Sequence, residues 1–205
     1  VAKFPDALFA KLFSIIGIKH FEELDKALWK WKGRIVYGGH EILTALGELA
    51  EFTDVGSIPS SMVVMRILAA LKALAPEKKL QQSDCPQAYV QAFLNPDGKG
   101  PMHFVRLPKK WWPAEWHGKY KDPVVPLYKA LYGHPKAGDC WHDKFRNEVL
   151  KLGFKDVEGW PWVYVKGRTF DEIEVITTYV GDVGMFGGSE LDADIIKLQD
   201  KIVMD

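Results

Sequence analysis

Residues 176–188, ITTYVGDVGMFGG, constrain the fold more than any other stretch of the chain. A β-rich apolar run, a Gly-Asp pair and a glycine-rich apolar run make the pattern of a tight antiparallel hairpin with one carboxylate, Asp182, at its tip. Gly181, at the first turn position, suits a type II′ turn without strain. WPWVYVK at 160–166 reads as a strand leading into the hairpin's first arm, EIEVITTYV at 172–180. Leu191, Ile195, Leu198 and Ile202 mark a closing amphipathic helix. A late antiparallel hairpin in a chain that mixes helices and strands favours an α+β fold over a doubly wound parallel sheet.

The upstream pattern supplies the other elements. Phe9, Leu12, Phe13 and Ile16 recur at helical spacing over 6–16, and Phe21, Leu24, Leu28 and Trp31 continue the period, so two N-terminal helices with core stripes are expected. KGRIVYGG at 32–39 switches to a strand ended by paired glycines. SMVVMRILAALKALA at 61–75 reads as a buried helix with Ser60 or Ser61 as N-cap and Pro76 as its stop. LQQSDCPQAYVQAFL at 80–94 is a strand that turns into a short helix at Pro86, with Asp84 at the junction. PMHFVRLP follows as a strand, KKWWPAEWHGKYKDP at 109–123 as a Trp- and Pro-rich loop. The next segment, 137–154, is a helix with Trp141, Phe145, Val149 and Leu152 on one side and Gly153 as its stop.

Composition excludes several classes. A chain of 205 residues, 47% hydrophobic, can bury a large core or two smaller ones. Lys plus Arg and Asp plus Glu both number 27, so no overall field draws the protein to a polyanion or an anionic membrane. Any such site must be a local cleft. Cys85 and Cys140 are the two cysteines, without metal-ligand spacing, and the histidines form no HExxH or finger pattern. No apolar run approaches the roughly 20 residues that span a bilayer, and the N-terminus has no secretory pattern. The expected setting is intracellular, cytoplasmic or nuclear, with no membrane partner.

Asp84 and Asp182 are the candidates for chemistry. An aspartate at a strand end or in a turn commonly does no more than accept local backbone hydrogen bonds. The sharper reading brings both to the ends of strands in one sheet, where two carboxylates in a cleft repel and demand a divalent counter-charge.

KGRIVYGG, QQSDCPQAYVQAFL, VPLYKALYGHPKAGDCW and TTYVGD occur in the order and at about the spacing of four blocks of copia-type retrotransposon reverse transcriptases, and over residues 32–205 the chain resembles that family. The resemblance implies a right-hand polymerase of fingers and palm, an antiparallel palm sheet with packed helices. Residues 1–31 would form an N-terminal helical segment, 32–79 fingers, 80–94 palm, 95–136 a fingers and template-side insertion, and 137–205 palm with the YVGD hairpin; the thumb would be absent. It implies an RNA-directed DNA polymerase, a nucleotidyltransferase that extends a primer on an RNA or DNA template with deoxynucleoside triphosphates. Two Mg²⁺ or Mn²⁺ ions assist the in-line displacement in that family. Thumb and ribonuclease H domains of the polyprotein would be further partners.

Residue by residue, Asp84 matches the carboxylate that bridges both ions, the Cys85 carbonyl a further ligand and Asp182 the more peripheral catalytic aspartate. Tyr89 matches the aromatic that excludes a ribose 2′-hydroxyl, and Lys32 and Arg34 match basic residues that grip the triphosphate. Gly133, Lys136 and Trp141 match a template-side block, although GHPKAGDCW departs from the family's GLKQAPRAW. Gly181 is the main departure: the family places a metal-binding aspartate there. Near a dielectric of 20, a carboxylate 4 Å from a divalent ion contributes on the order of 8 kcal/mol of attraction before desolvation is subtracted. The expected outcome is a preserved fold with impaired catalysis. A catalytically dead nucleic-acid-binding remnant, supported by Lys26, Lys30, Lys32 and Arg34 and by the KKWW and KYK runs, and a protein-interaction domain are the alternatives.

Overall fold

A computed structural model of the chain describes residues 4–52 and 60–205. In chain order the elements begin with β1 (Leu8–Lys19), β2 (Lys30–Tyr37), α1 (Met62–Leu74), β3 (Lys79–Asp84), α2 (Ala88–Gln91), β4 (His103–Arg106) and β5 (Val124–Leu127). They continue with α3 (Ala137–Lys151), β6 (Lys155–Val157), β7 (Trp160–Lys166), β8 (Glu174–Tyr179), β9 (Asp182–Gly187) and α4 (Ser189–Gln199). The protein is mixed α/β with two separate sheets, an arrangement compatible with the expected α+β class. Among the described residues no helix is long and apolar enough to cross a membrane. The chain divides into two compact units, 4–52 with 93–137 and 60–92 with 138–205.

The first unit holds a four-stranded sheet in the order β2-β1-β4-β5. Its first strand overturns the helix expected over 6–16. Ile15, Ile16 and Ile18 are β-branched and fit a pleated surface better than a helix, and β2 pairs antiparallel with them from Leu12↔Tyr37 to Lys19↔Lys30. The helix expected over 21–31 is reduced to a single 3₁₀ turn, Lys26–Leu28, capped by the Asp25 carboxylate. Nor do the apolar residues of the two stripes form a core: Leu24 is fully exposed, and Ile16 and Trp31 are 68% and 73% exposed. Strand geometry scatters an i, i+3, i+4 set over both faces. The core instead gathers Ala10, Tyr37, Ile42 and Val105, with Leu8, Leu12, Val125 and Leu127 packed against it.

In the second unit the five strands run β3-β9-β8-β7-β6, all antiparallel. The expected helix at 61–75 is α1, with the Ser61 hydroxyl accepting from the Val63 N–H at 3.2 Å. It is half-covered, not buried throughout: Val64 and Leu68 meet Val163, Val175 and Phe186 on one face of the sheet, while Met62, Val63 and Leu74 face solvent. The opposite face carries the larger core, where Trp141, Phe145 and Val149 of α3 and Leu191, Ile195 and Leu198 of α4 pack on Tyr164, Ile176, Val183 and Met185. Alternation along β8 and β9 divides these residues between the two faces, as a sheet covered on both sides requires. Gly153 ends the region of α3 with a left-handed φ of 91°.

Candidate active site

Antiparallel pairing of β3 with β9 sets Asp84 directly opposite Asp182. Directly opposed residues of an antiparallel pair point to the same face, with Cβ atoms about 5 Å apart, so these two aspartates, distant in sequence, are neighbours. Both are solvent-exposed. The ladder continues one step further, where the Cys85 N–H donates to the Gly181 carbonyl at 2.7 Å.

The β8–β9 connection is a two-residue turn, Val180-Gly181, closed by the Tyr179↔Asp182 pair. Here the expectation for glycine is corrected. Val180 takes the left-handed conformation, φ 58°, and Gly181 lies outside that region. Glycine is therefore not needed at 181 by the backbone. Its missing side chain has a definite direction: a Cβ there would stand 3.0 Å from Asp84 Oδ1 and 3.0 Å from the Cys85 carbonyl oxygen. A longer acidic side chain at this position would enter the space bounded by the Asp84 carboxylate and the Cys85 carbonyl.

Backbone strain collects at this junction. Of the four left-handed non-glycine residues among those described, Val180 and Gln87 flank it on the two chain segments that carry Gly181 and Cys85. Each costs on the order of 1 kcal/mol and persists where surroundings over-determine it. For Val180 the fixing contact is the Trp141 indole N–H, which donates to the Val180 carbonyl at 2.6 Å, joined by the Thr178 hydroxyl at 3.0 Å. Trp141 is completely buried. Its part in any template site is indirect, through the hairpin it holds.

Asp205 was not anticipated from the sequence. Its N–H donates to the Asp84 carbonyl and the Asp84 N–H donates to Asp205 Oδ1, both at 3.0 Å, while the Ser83 hydroxyl donates to the Asp205 carbonyl. Gln91 grips the same segment from α2: its amide donates to the Val203 carbonyl and accepts from the Val203 N–H, each at 2.9 Å. No sequence pattern signals it: buried Ile202 and Met204 alternate with exposed Val203 and Asp205, but Val203 is apolar, so the period shows only in the structure. Burial pushes the Cys85 thiol up to about 12, and the carboxylates of Asp84, Asp205 and Asp182 push in the same direction. The thiol stays protonated, and Cys85 faces the site through its carbonyl.

These donors can be set against the two cations the resemblance implies. The Asp84 and Asp182 carboxylates and the Cys85 carbonyl are hard oxygen ligands suited to Mg²⁺ or Mn²⁺. Among the described residues, however, no three His, Cys, Asp or Glu side chains converge as a metal-holding group. Gly181 contributes no charge where the third carboxylate would stand. The set does not fit a two-ion centre, which needs a further anionic ligand to offset the repulsion between the ions.

Tyr89 lies in α2 beside this junction, half-buried against the larger core. Lys32, Arg34, Gly133 and Lys136 belong to the first unit. Lys30, Lys32 and Arg34 alternate along β2 and so share one face of the β1–β2 ribbon with Lys19, which is paired with Lys30. Gly133 has a structural reason to be glycine: φ is 86°, and a Cβ would overlap the Tyr37 carbonyl at the end of β2. The close approach it permits is to the chain's own backbone. Lys136 is exposed, and its N–H donates to His134 Nδ1 at 3.1 Å.

Charge is divided unequally. Residues 4–52 and 93–137 carry fourteen Lys or Arg against ten Asp or Glu, whereas 60–92 and 138–205 carry twelve against sixteen. The zero net charge is a cancellation between a basic unit and an acidic one. Comparisons with protein-family models, with curated proteins and with solved structures found no match.

Proposed function

We propose that the chain is a fingers-and-palm domain of copia-type reverse-transcriptase descent, a template-directed nucleotidyltransferase fold whose metal centre is impaired by glycine at 181. One observation carries this reading. The hairpin turn aims position 181 at the Asp84 carboxylate and the Cys85 carbonyl, with Asp182 opposite Asp84 in the same sheet. The register also supports the assignment of Asp84 and Asp182 as the surviving carboxylates, and half-buried Tyr89 stands four residues beyond Cys85 as the sugar-contacting aromatic.

Primer extension tests the reading. On a primed RNA or DNA template with deoxynucleoside triphosphates and Mg²⁺ or Mn²⁺, the unmodified chain should extend little and Gly181→Asp should extend more. Robust extension by the unmodified chain would show that the centre is not impaired. Failure of Gly181→Asp to gain activity while it remains folded and binds primer–template would remove the assignment of position 181.

A non-catalytic nucleic-acid-binding remnant is the second reading, favoured by the excess of cations in the first unit. Salt-sensitive binding to primer–template without extension by either protein would select it.

A further inference from the structure

We propose that the loop between β4 and β5, residues 107–123, is a binding site for single-stranded nucleic acid, with bases stacked on its aromatic rings and phosphates seated on Lys109, Lys110, Lys119 and Lys121. This site needs neither Asp84 nor Asp182, so it stands or falls independently of the polymerase reading.

The loop spans seventeen residues between Arg106 and Val124 and has no strand of its own, only two 3₁₀ turns, Lys109–Trp111 and Ala114–Trp116. Its composition is unlike a solvated connection: three tryptophans, a tyrosine and a histidine among four lysines. All four lysines are exposed, and among the described residues none is in an ion pair. Of the two acids, Asp122 is held by Arg106 at 3.0 Å, leaving Glu115 as the opposing charge.

The rings of Trp112, Trp116 and Tyr120 are held in place before any ligand arrives. The Trp112 indole N–H donates to the Leu107 carbonyl at 3.0 Å, and its ring lies 5.8 Å from His117. Trp116 meets Tyr120 edge-on at 5.9 Å. Lys109 sits 6.0 Å from the Trp112 ring and Lys119 5.2 Å from the Tyr120 ring, so cations stand beside the aromatic surfaces. Trp111 is half-exposed and makes no ring contact among the described residues. A pre-ordered ring loses little freedom when a base stacks on it, and an adjacent ammonium can reach the phosphate of the same nucleotide.

Alternating aromatic and cationic groups read single strands, whose base faces are open. A duplex hides those faces and would use the lysines alone. An anionic membrane is a poorer fit, because an inserting loop needs aliphatic side chains and here Leu107, at the loop's base, is the one large aliphatic residue.

Fluorescence anisotropy with the whole chain tests this, using labelled single-stranded DNA and RNA of about ten nucleotides, the scale of such sites. The comparison includes a duplex of equal length and phosphatidylserine-containing vesicles. Trp111→Ala should weaken single-strand binding about tenfold or more and leave duplex binding unchanged. The quadruple Lys→Gln variant at 109, 110, 119 and 121 should flatten the slope of log K against log salt by about 0.7 for each phosphate it no longer neutralises. Trp111→Phe, which keeps a stacking face, should retain most of the affinity, and thermal melting of each variant separates loss of binding from loss of fold. Undiminished binding by folded Trp111→Ala and by the quadruple variant overturns the proposal. So does an equal loss of duplex affinity in Trp111→Ala, or adsorption to vesicles without oligonucleotide binding.

Discussion

Placing a carboxylate at position 181 should make the protein less stable without a divalent cation and more responsive to one. In Gly181→Asp the new Cβ would stand 3.0 Å from Asp84 Oδ1 and from the Cys85 carbonyl, closer than ordinary van der Waals contact. Its carboxylate would then lie roughly 4 Å from that of Asp84. At this distance two negative charges repel by about 1 kcal/mol in water and about 4 kcal/mol at an effective dielectric of 20. Asp84 is exposed, so the cost falls between these limits. For a chain of this length each kcal/mol moves Tm by about 2–4 °C, and the variant in EDTA should melt at least about 2 °C below the unmodified protein. A cation that binds only the folded form adds about 2.7 kcal/mol at one hundred times its Kd, enough to offset most or all of the deficit. Differential scanning fluorimetry in EDTA and across a Mn²⁺ titration reads both effects. If Gly181→Asp melts with the parent in EDTA and shows no greater rise with Mn²⁺, position 181 does not face an acidic pocket, and the argument from its direction fails.

Three further outcomes follow from particular contacts. Trp141→Phe removes the indole donor to the Val180 carbonyl, which keeps the Thr178 hydroxyl, and should cost about 2 kcal/mol in urea denaturation; no change would mean the indole bond does not hold the turn. Burial holds the pKa of His103 down to about 4 and that of His134 to about 3, with the cation of Lys136 acting in the same direction. Folded values below the ordinary 6.5 mean that the unfolded chain binds more protons, so stability is complete above about pH 6.5 and declines toward pH 3. A urea midpoint that stays flat from pH 6.5 to 4 would contradict this. Gly133→Ala, with φ 86° and the Tyr37 carbonyl in its way, should destabilise the protein by about 2 kcal/mol or more, while Gly33→Ala, with open space around its Cβ, should change stability by less than about 1 kcal/mol. Equal denaturation midpoints for these two variants would remove the close-approach argument.

Local pattern was sufficient where one face of an element is buried against a sheet. The Ser61 cap, the Trp141-Phe145-Val149 stripe, the Pro86 junction and the 176–188 hairpin were all legible because each residue's nearest constraint lies within a turn or a strand of it. The N-terminal region misled for a physical reason. Phe9, Leu12, Phe13 and Ile16 satisfy a helical spacing, yet Ile15, Ile16 and Ile18 are β-branched and β2 offers a partner eight residues long. Periodicity counts apolar positions, but it does not weigh their shape or see a partner strand. Asp205 escaped because its contacts reach back to Ser83 and Asp84, and Gly133 escaped because the carbonyl it accommodates belongs to Tyr37. Whole-chain net charge was the least informative quantity, since it averaged a basic unit with an acidic one.

The turn at 180–181 separates two properties that a sequence motif ties together. A tight hairpin needs one left-handed residue, and Val180 is that residue. Its conformation is held by Trp141 and Thr178 from the core side, and the ladder on the other side is closed by the Cys85 N–H on the Gly181 carbonyl. None of these contacts uses the side chain at 181. Glycine at 181 therefore leaves every bond of the turn in place and adds no charge beside Asp84. An acid there would add no bond to the turn and would stand against the Asp84 carboxylate, so the fold by itself gives no reason for one.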